Sequence, residues 1–145
     1  MKLDPNFSEF VHLLNANAVE YLIVGGYAVA WYGYPRFTGD FDVWIRPTVE
    51  NARKVLMVMR TFGFASLGFT EEDFIKPDMV LQIGYPPLRI DILTSIDGVE
   101  FEECYAAKKL FAVNGGTVDV ISLEHLKANK RKSGRHKDLD DLEHL

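Results

Sequence analysis

Two carboxylates stand two residues apart in Asp40-Phe41-Asp42, downstream of a glycine pair, Gly25-Gly26, that ends the apolar run Tyr21-Leu22-Ile23-Val24. In a strand, residues two apart share a face, so Asp40 and Asp42 face one way while Phe41, Val43 and Ile45 face the other. The glycines let the backbone turn sharply and approach a ligand with no Cβ in the way. Ala28, Val29, Ala30 and Trp31 then suit a helix whose free N–H groups point back at the pair, and that end attracts phosphate. Two carboxylates on one strand face beside such a turn predict a Mg2+ site that holds a nucleoside triphosphate. A further acid lies far along the chain, in Arg89-Ile90-Asp91-Ile92-Leu93. Ile90 and Ile92 share one strand face; Arg89, Asp91 and Leu93 share the other. A carboxylate between two isoleucines is costly inside a sheet unless it pairs with an Arg or Lys or binds a cation.

Val24-Gly25-Gly26, a spacer of thirteen residues (Tyr27 to Gly39) and Asp40-Phe41-Asp42-Val43 together resemble the signature of the DNA polymerase beta-like nucleotidyltransferase superfamily. With Tyr27, Ala28 and Val29 after the glycines and Arg36, Thr38 and Asp40 beyond, the chain is similar to small prokaryotic uncharacterised nucleotidyltransferases. Those are related in turn to abortive-infection toxins and antibiotic nucleotidyltransferases. The resemblance implies an α+β nucleotidyltransferase fold: a mixed, mostly antiparallel sheet flanked by helices, with short C-terminal helices. It implies that Asp91 lies on the strand next to Asp40 and Asp42 and completes their metal site, which takes two Mg2+ ions, with Mn2+ as a substitute. It further implies a nucleoside triphosphate donor, ATP first, whose phosphates meet Gly25 and Gly26. A nucleoside monophosphate then passes to an acceptor hydroxyl and pyrophosphate leaves.

Four more residues are candidates for the nucleotide. Arg36 is either a solvated loop residue or a guanidinium on the triphosphate, where two-pronged contacts are favourable; Thr38 lies beside it. Lys127 and Lys130 share a helical face with Arg131. That face is either a solvated one balanced by Asp138, Asp140 and Asp141, or a contact for nucleotide phosphates or the acceptor. The stretch Gly134-Arg135-His136-Lys137-Asp138-Leu139-Asp140-Asp141-Leu142 also resembles the ending of the small nucleotidyltransferases.

The elements that must position these groups are legible from caps and periodicity. Asp4 with Pro5 starts a helix carrying Phe7, Phe10, Val11 and Leu14, which runs to about Ala16. Tyr21 to Val24 is a buried strand. Pro35 forces Tyr34 to be extended and ends the helix after the glycines. Thr48 caps a third helix that Gly63 closes. Thr70-Glu71-Glu72-Asp73 starts a short helical turn. Met79 to Ile83 and Leu88 to Leu93 are strands around the turn Gly84-Tyr85-Pro86-Pro87. Phe101 to Lys109 reads as a helix, Leu110 to Val113 and Thr117 to Ile121 as a hairpin over Gly115-Gly116. Ser122 caps a helix that Ser133-Gly134 breaks, and a last helix begins near Lys137.

Composition narrows the classes. The 145 residues predict one domain, 1–145, and 48% hydrophobic content excludes global disorder. A net charge of −5 argues against a basic duplex binder. The single cysteine, Cys104, permits no intrachain disulfide. No apolar run approaches membrane-spanning length, and the N-terminus lacks a signal-peptide core, so a cytoplasmic protein is expected. The acceptor stays open: a small molecule, an RNA end or a protein side chain. The small size points to a homodimer or a partner protein completing the site. Two other functions compete. One is a non-catalytic nucleotide- or partner-binding module of the same fold, as in a toxin–antitoxin pair. The other is a metal-dependent phosphodiesterase, which gives no reason for a glycine pair before a helix.

Overall fold

A computed structural model describes residues 3–34, 39–85 and 88–145. Asp4 accepts a hydrogen bond from Asn6 N at 2.8 Å and Pro5 opens α1 (Pro5–Ala16). The helix buries Phe7, Phe10, Val11 and Leu14, and burial of each large side chain contributes about 2–3 kcal/mol. The chain then enters β1 (Tyr21–Val24), buried along its whole length, and turns at once into α2 (Gly25–Trp31). Next come β2 (Asp40–Ile45) and α3 (Val49–Phe62). α3 starts under a Thr48 side-chain cap and ends at Gly63, whose φ of 100° is the left-handed stop that glycine adopts without strain.

Two short 3-10 turns, Ala65–Leu67 and Glu71–Phe74, lead to β3 (Val80–Tyr85) and β4 (Leu88–Leu93). α4 (Phe101–Ala106), β5 (Lys109–Val113), β6 (Gly116–Val120), α5 (Leu123–Ser133) and α6 (His136–His144) complete the order. Two boundaries differ from the sequence expectation. β3 continues through Gly84 and Tyr85, and the helix expected to reach Lys109 ends at Ala106. The reason in the second case is pairing: Lys109 faces Val120 as the first rung of the β5–β6 hairpin, so the backbone there serves the sheet.

Among the described residues six strands form one sheet in the order β3-β4-β2-β1-β6-β5. β1–β2, β3–β4 and β5–β6 are antiparallel; β2–β4 and β1–β6 are parallel. The chain is therefore α+β, with a mixed, mostly antiparallel sheet flanked by helices. Buried Asn51 sets the register of the two central strands from their far end. Its Oδ1 accepts from Glu20 N at 2.9 Å, and its Nδ2 donates to Glu20 O and Arg46 O, each at 3.0 Å.

The two faces of β2 have different tasks. Phe41, Val43 and Ile45 are fully buried, and the Phe41 ring stacks on Phe7 of α1 at 4.9 Å. On the other face Trp44 meets Phe101 of α4 edge-on at 5.0 Å. Asp40 and Asp42 lie on that second face, away from the main packing, as the alternation predicted. Among the described residues no helix is long and apolar enough to cross a membrane.

Candidate functional site

Register brings the acids together. Asp42 pairs with Val24 of β1 on one side and with Asp91 of β4 on the other. Asp42 and Asp91 are thus direct neighbours on strands about 4.8 Å apart, although 49 positions separate them in sequence. Asp40 is the neighbour of Arg89 in the same ladder. Because residues two apart share a face, Asp40, Asp42, Arg89 and Asp91 form one patch of three acids and a base.

Val24 ends β1 and Gly25 begins α2 directly over Asp42. Gly25 has φ +68°, and a Cβ placed on it would overlap Oδ2 of Asp42. Both facts require glycine here, and the second says that the backbone turn is pressed against the carboxylate. Gly26 is buried in the first turn of α2, and no side chain caps that helix. The glycine pair and the acid pair, read separately in sequence, are one contiguous structure.

The electrostatics follow from this crowding. Burial, then the charges of Asp91 and Asp40, push the Asp42 carboxyl up to about 7; Lys137 and Lys130 oppose the rise. Burial and Asp40 likewise raise Asp91, against Arg89. Without a cation, Asp42 therefore holds a proton into the neutral range. Asp91 is only 7% exposed, and its Oδ1 is buried with no hydrogen-bond partner among the described residues. A buried carboxylate oxygen left unpaired beside a second carboxylate is the donor set of a hard divalent cation.

Asp40 stands differently. Arg89 Nη2 donates to its Oδ2 at 2.7 Å, and Arg89 Nε lies 3.6 Å from Asp91 Oδ1. Among the described residues no three acid, histidine or cysteine side chains are gathered as a ready metal cage, and Asp40 is paired with Arg89. Asp42 and Asp91 are the two carboxylates that could share a cation.

A cavity of about 290 Å3 opens beside Asp42 and Gly25 and extends under α5, where Ser95, Asn129, Lys130 and Arg135 line it. Lys130 does not offer its ammonium there. It is 2% exposed and sits between Asp138 Oδ1 at 2.9 Å and Asp141 Oδ2 at 3.0 Å, tying α5 to α6. Burial alone would raise Asp138, but hydrogen bonds from Arg135, Ser133 and Lys130 hold it well below the usual carboxylate range. The expected basic face is thus divided. Lys130 is an internal brace, Lys127 is half-buried one turn earlier and does not line the cavity, and Arg131 is exposed.

Arg36 and Thr38 lie outside the described residues. The segment that carries them is flanked on one side by Tyr34, whose hydroxyl donates to Asp140 Oδ2 at 2.8 Å and whose ring stacks on His144 at 3.9 Å. Sequence reasoning left two cations off its list of site residues: Arg89, placed only on the strand face of Asp91, and Arg135, placed only in the basic C-terminal stretch. Arg89 announced itself only by standing two residues before Asp91. Arg135 Nε donates to Asp138 at 2.8 Å while the side chain stays 67% exposed at the cavity wall.

A family model described as "Nucleotidyl transferase of unknown function (DUF2204)" matches residues 5–145. The crystal structure of a Thermotoga maritima protein, assigned by inference to the nucleotidyltransferases, superimposes with a TM-score of 0.61 at 16% identity. The match covers 94% of this chain and 88% of that one, and it is a likeness of fold. No curated protein sequence matches the chain.

Proposed function

Because this chain belongs to the family of nucleotidyl transferases of unknown function, we propose that it moves a nucleoside monophosphate from a nucleoside triphosphate, ATP first, to an acceptor hydroxyl. The reaction is Mg2+-dependent and releases pyrophosphate. The observation that carries this reading is the pairing of Asp42 with Asp91 under Gly25, with Asp91 Oδ1 buried and unmatched. Arg89 Nε, 3.6 Å away, is an ion-pair neighbour of that oxygen but does not hydrogen-bond to it, which leaves its lone pairs open to a cation.

A pair of divalent cations, when bound, neutralises the polyphosphate and lowers the pKa of the acceptor hydroxyl. Asp42 lies between Asp40 and Asp91 on the sheet face and is the residue placed to be shared. Gly25 and Gly26 supply backbone with no side chain above Asp42, so phosphate oxygens can approach. Asp91 is more basic than an ordinary carboxylate because it is buried and crowded, which suits it to take the hydroxyl proton. The acceptor oxygen then bonds to the α-phosphorus as the bond from that phosphorus to the bridging oxygen breaks, and the electron pair leaves with pyrophosphate. Arg135 at the cavity wall and Lys137, an exposed residue whose charge reaches Asp42, suit the anionic donor.

The test is label transfer from each α-labelled nucleoside triphosphate to components of a cell extract, with pyrophosphate measured alongside. Mg2+-dependent transfer by the wild type that falls by roughly two to four orders of magnitude in Asp42→Asn is expected. Nucleotide binding with no pyrophosphate from any donor would instead support the non-catalytic module.

A further inference from the structure

Arg89 stands in the acidic patch at the position where the patch needs a positive charge. It faces Asp40 across the β2–β4 ladder and shares a strand face with Asp91. The two contacts it makes are unequal. Nη2 reaches Asp40 Oδ2 at 2.7 Å, a full charge-assisted hydrogen bond. Nε stops 3.6 Å short of Asp91 Oδ1, and both of those atoms are buried without a hydrogen-bond partner among the described residues. A guanidinium that braces two acids matches its fork to theirs; here Nη2 is hydrogen-bonded while Nε makes only a longer ion pair.

The surroundings also speak against a purely structural bridge. The Arg89 and Asp40 side chains are 29% and 36% exposed, a setting in which ion pairs contribute little to stability. Meanwhile no three acid side chains are gathered as a metal cage among the described residues, and Arg89 holds Asp40 by a hydrogen bond.

We propose that Arg89 is the internal counter-ion of the metal-free site, holding Asp40 until a divalent cation displaces it and so setting the affinity for that cation. It is a positioning residue. While paired with Asp40 it limits the charge repulsion among three crowded carboxylates, and it keeps the third one out of the metal's reach. Once displaced it remains on the same strand face beside the site, where an anionic donor can accept its hydrogen bonds. Cation loading and donor binding then favour each other, because each removes a partner the other must compete with. This inference rests on the cation-binding reading of Asp42 and Asp91.

The test uses the full chain with Mn2+ alone, without nucleotide. Calorimetry gives the Mn2+ affinity of wild type, Arg89→Gln and Arg89→Lys, and thermal melts are taken at pH 8 in EDTA and in Mn2+. Arg89→Gln is expected to bind Mn2+ roughly tenfold tighter than wild type, since no charged hydrogen bond must be broken first. Its melting temperature should be lower than wild type in EDTA, with the deficit closing in Mn2+. Arg89→Lys, which keeps the charge but loses the fork, should fall between the two. Unchanged or weaker Mn2+ affinity in Arg89→Gln, with the same thermal deficit in both media, overturns the proposal and makes Arg89 a brace. If Arg89→Gln fails to fold in EDTA, Arg89→Lys decides: affinity above wild type supports the proposal, and equal affinity overturns it. Wild type that binds Mn2+ with no change in either variant removes this inference alone. Absence of Mn2+ binding in every protein removes the cation site as well.

Discussion

Asp42→Asn should raise the melting temperature of the metal-free protein at pH 8, although it alters a largely buried side chain next to the core. Asp42 sits at about 7 in the folded state against 3.8 for an ordinary aspartate. A folded-state value raised above the unfolded one contributes stability that is complete below about 4 and lost as pH rises through about 7. The gap corresponds to at most roughly 4 kcal/mol. At roughly 2–4 °C per kcal/mol for a chain of this length, that is up to about 16 °C. Asn imitates the protonated carboxyl in size and charge, so the variant forgoes the loss. In EDTA, wild type should therefore melt lower at pH 8 than at pH 5.5, while Asp42→Asn stays level and overtakes it. Asp138 does not blur this window, since its lowered value contributes stability that disappears only under strongly acid conditions. With saturating Mn2+ at pH 8 the order should reverse, because only wild type gains from the bound cation. Calorimetric melts at the two pH values, with and without Mn2+, read all of this. A variant that melts lower than wild type by the same amount at pH 5.5 and pH 8 in EDTA would show that Asp42 is a plain hydrogen-bond acceptor, and the crowding argument would fail.

Other outcomes follow from the same geometry. Gly25→Ala should cost roughly 1–3 kcal/mol in urea unfolding and abolish Mn2+ binding, because its Cβ meets the Asp42 carboxylate and its backbone is left-handed; near wild-type values in both would mean the turn is not pressed on the site. Lys130→Ala leaves Asp138 and Asp141 without their shared ammonium and should cost about 3–5 kcal/mol. A loss below about 1 kcal/mol in urea unfolding would show that α6 is held by something else. Mn2+ binding should release close to one proton near pH 6 and almost none at pH 9, measured by calorimetry in buffers of different ionisation enthalpy; the same release at both pH values would mean Asp42 is not the group that yields it.

The site was legible where its chemistry is local. Val24-Gly25-Gly26 and Asp40-Phe41-Asp42 announce a turn and a two-faced strand by residue type alone, and Ile90-Asp91-Ile92 marks an acid that must have a partner. Caps gave the helix ends at Thr48, Gly63, Ser122 and Gly134 for the same reason. What the chain order hides is pairing between distant segments. Arg89 meets Asp40 only because β2 and β4 run parallel in one register. Lys130 looks like a solvated cation in a basic run, and only the return of α6 places Asp138 and Asp141 on it. The helix expected through Lys109 stops early because hairpin pairing outweighs the helical pattern.

These misses share a cause, and it bears on how the site works. Asp42 is crowded by two like charges and overlaid by Gly25, an arrangement that lowers stability in the absence of a cation. The fold tolerates it because the strand's other face is anchored by Phe41, Val43 and Ile45 in the core, and because Arg89 supplies one positive charge within the patch. Lys130, matched by its own two acids, ties α5 to α6 at the cavity wall and only partly offsets the charge at Asp42. Among the described residues Asp42 and Asp91 are thus the crowded pair, with Arg89 Nε 3.6 Å from Asp91 as their nearest guanidinium contact. The proposed divalent cation would relieve that crowding, since among the described residues Lys130 is committed to its own acids and Arg135 is exposed.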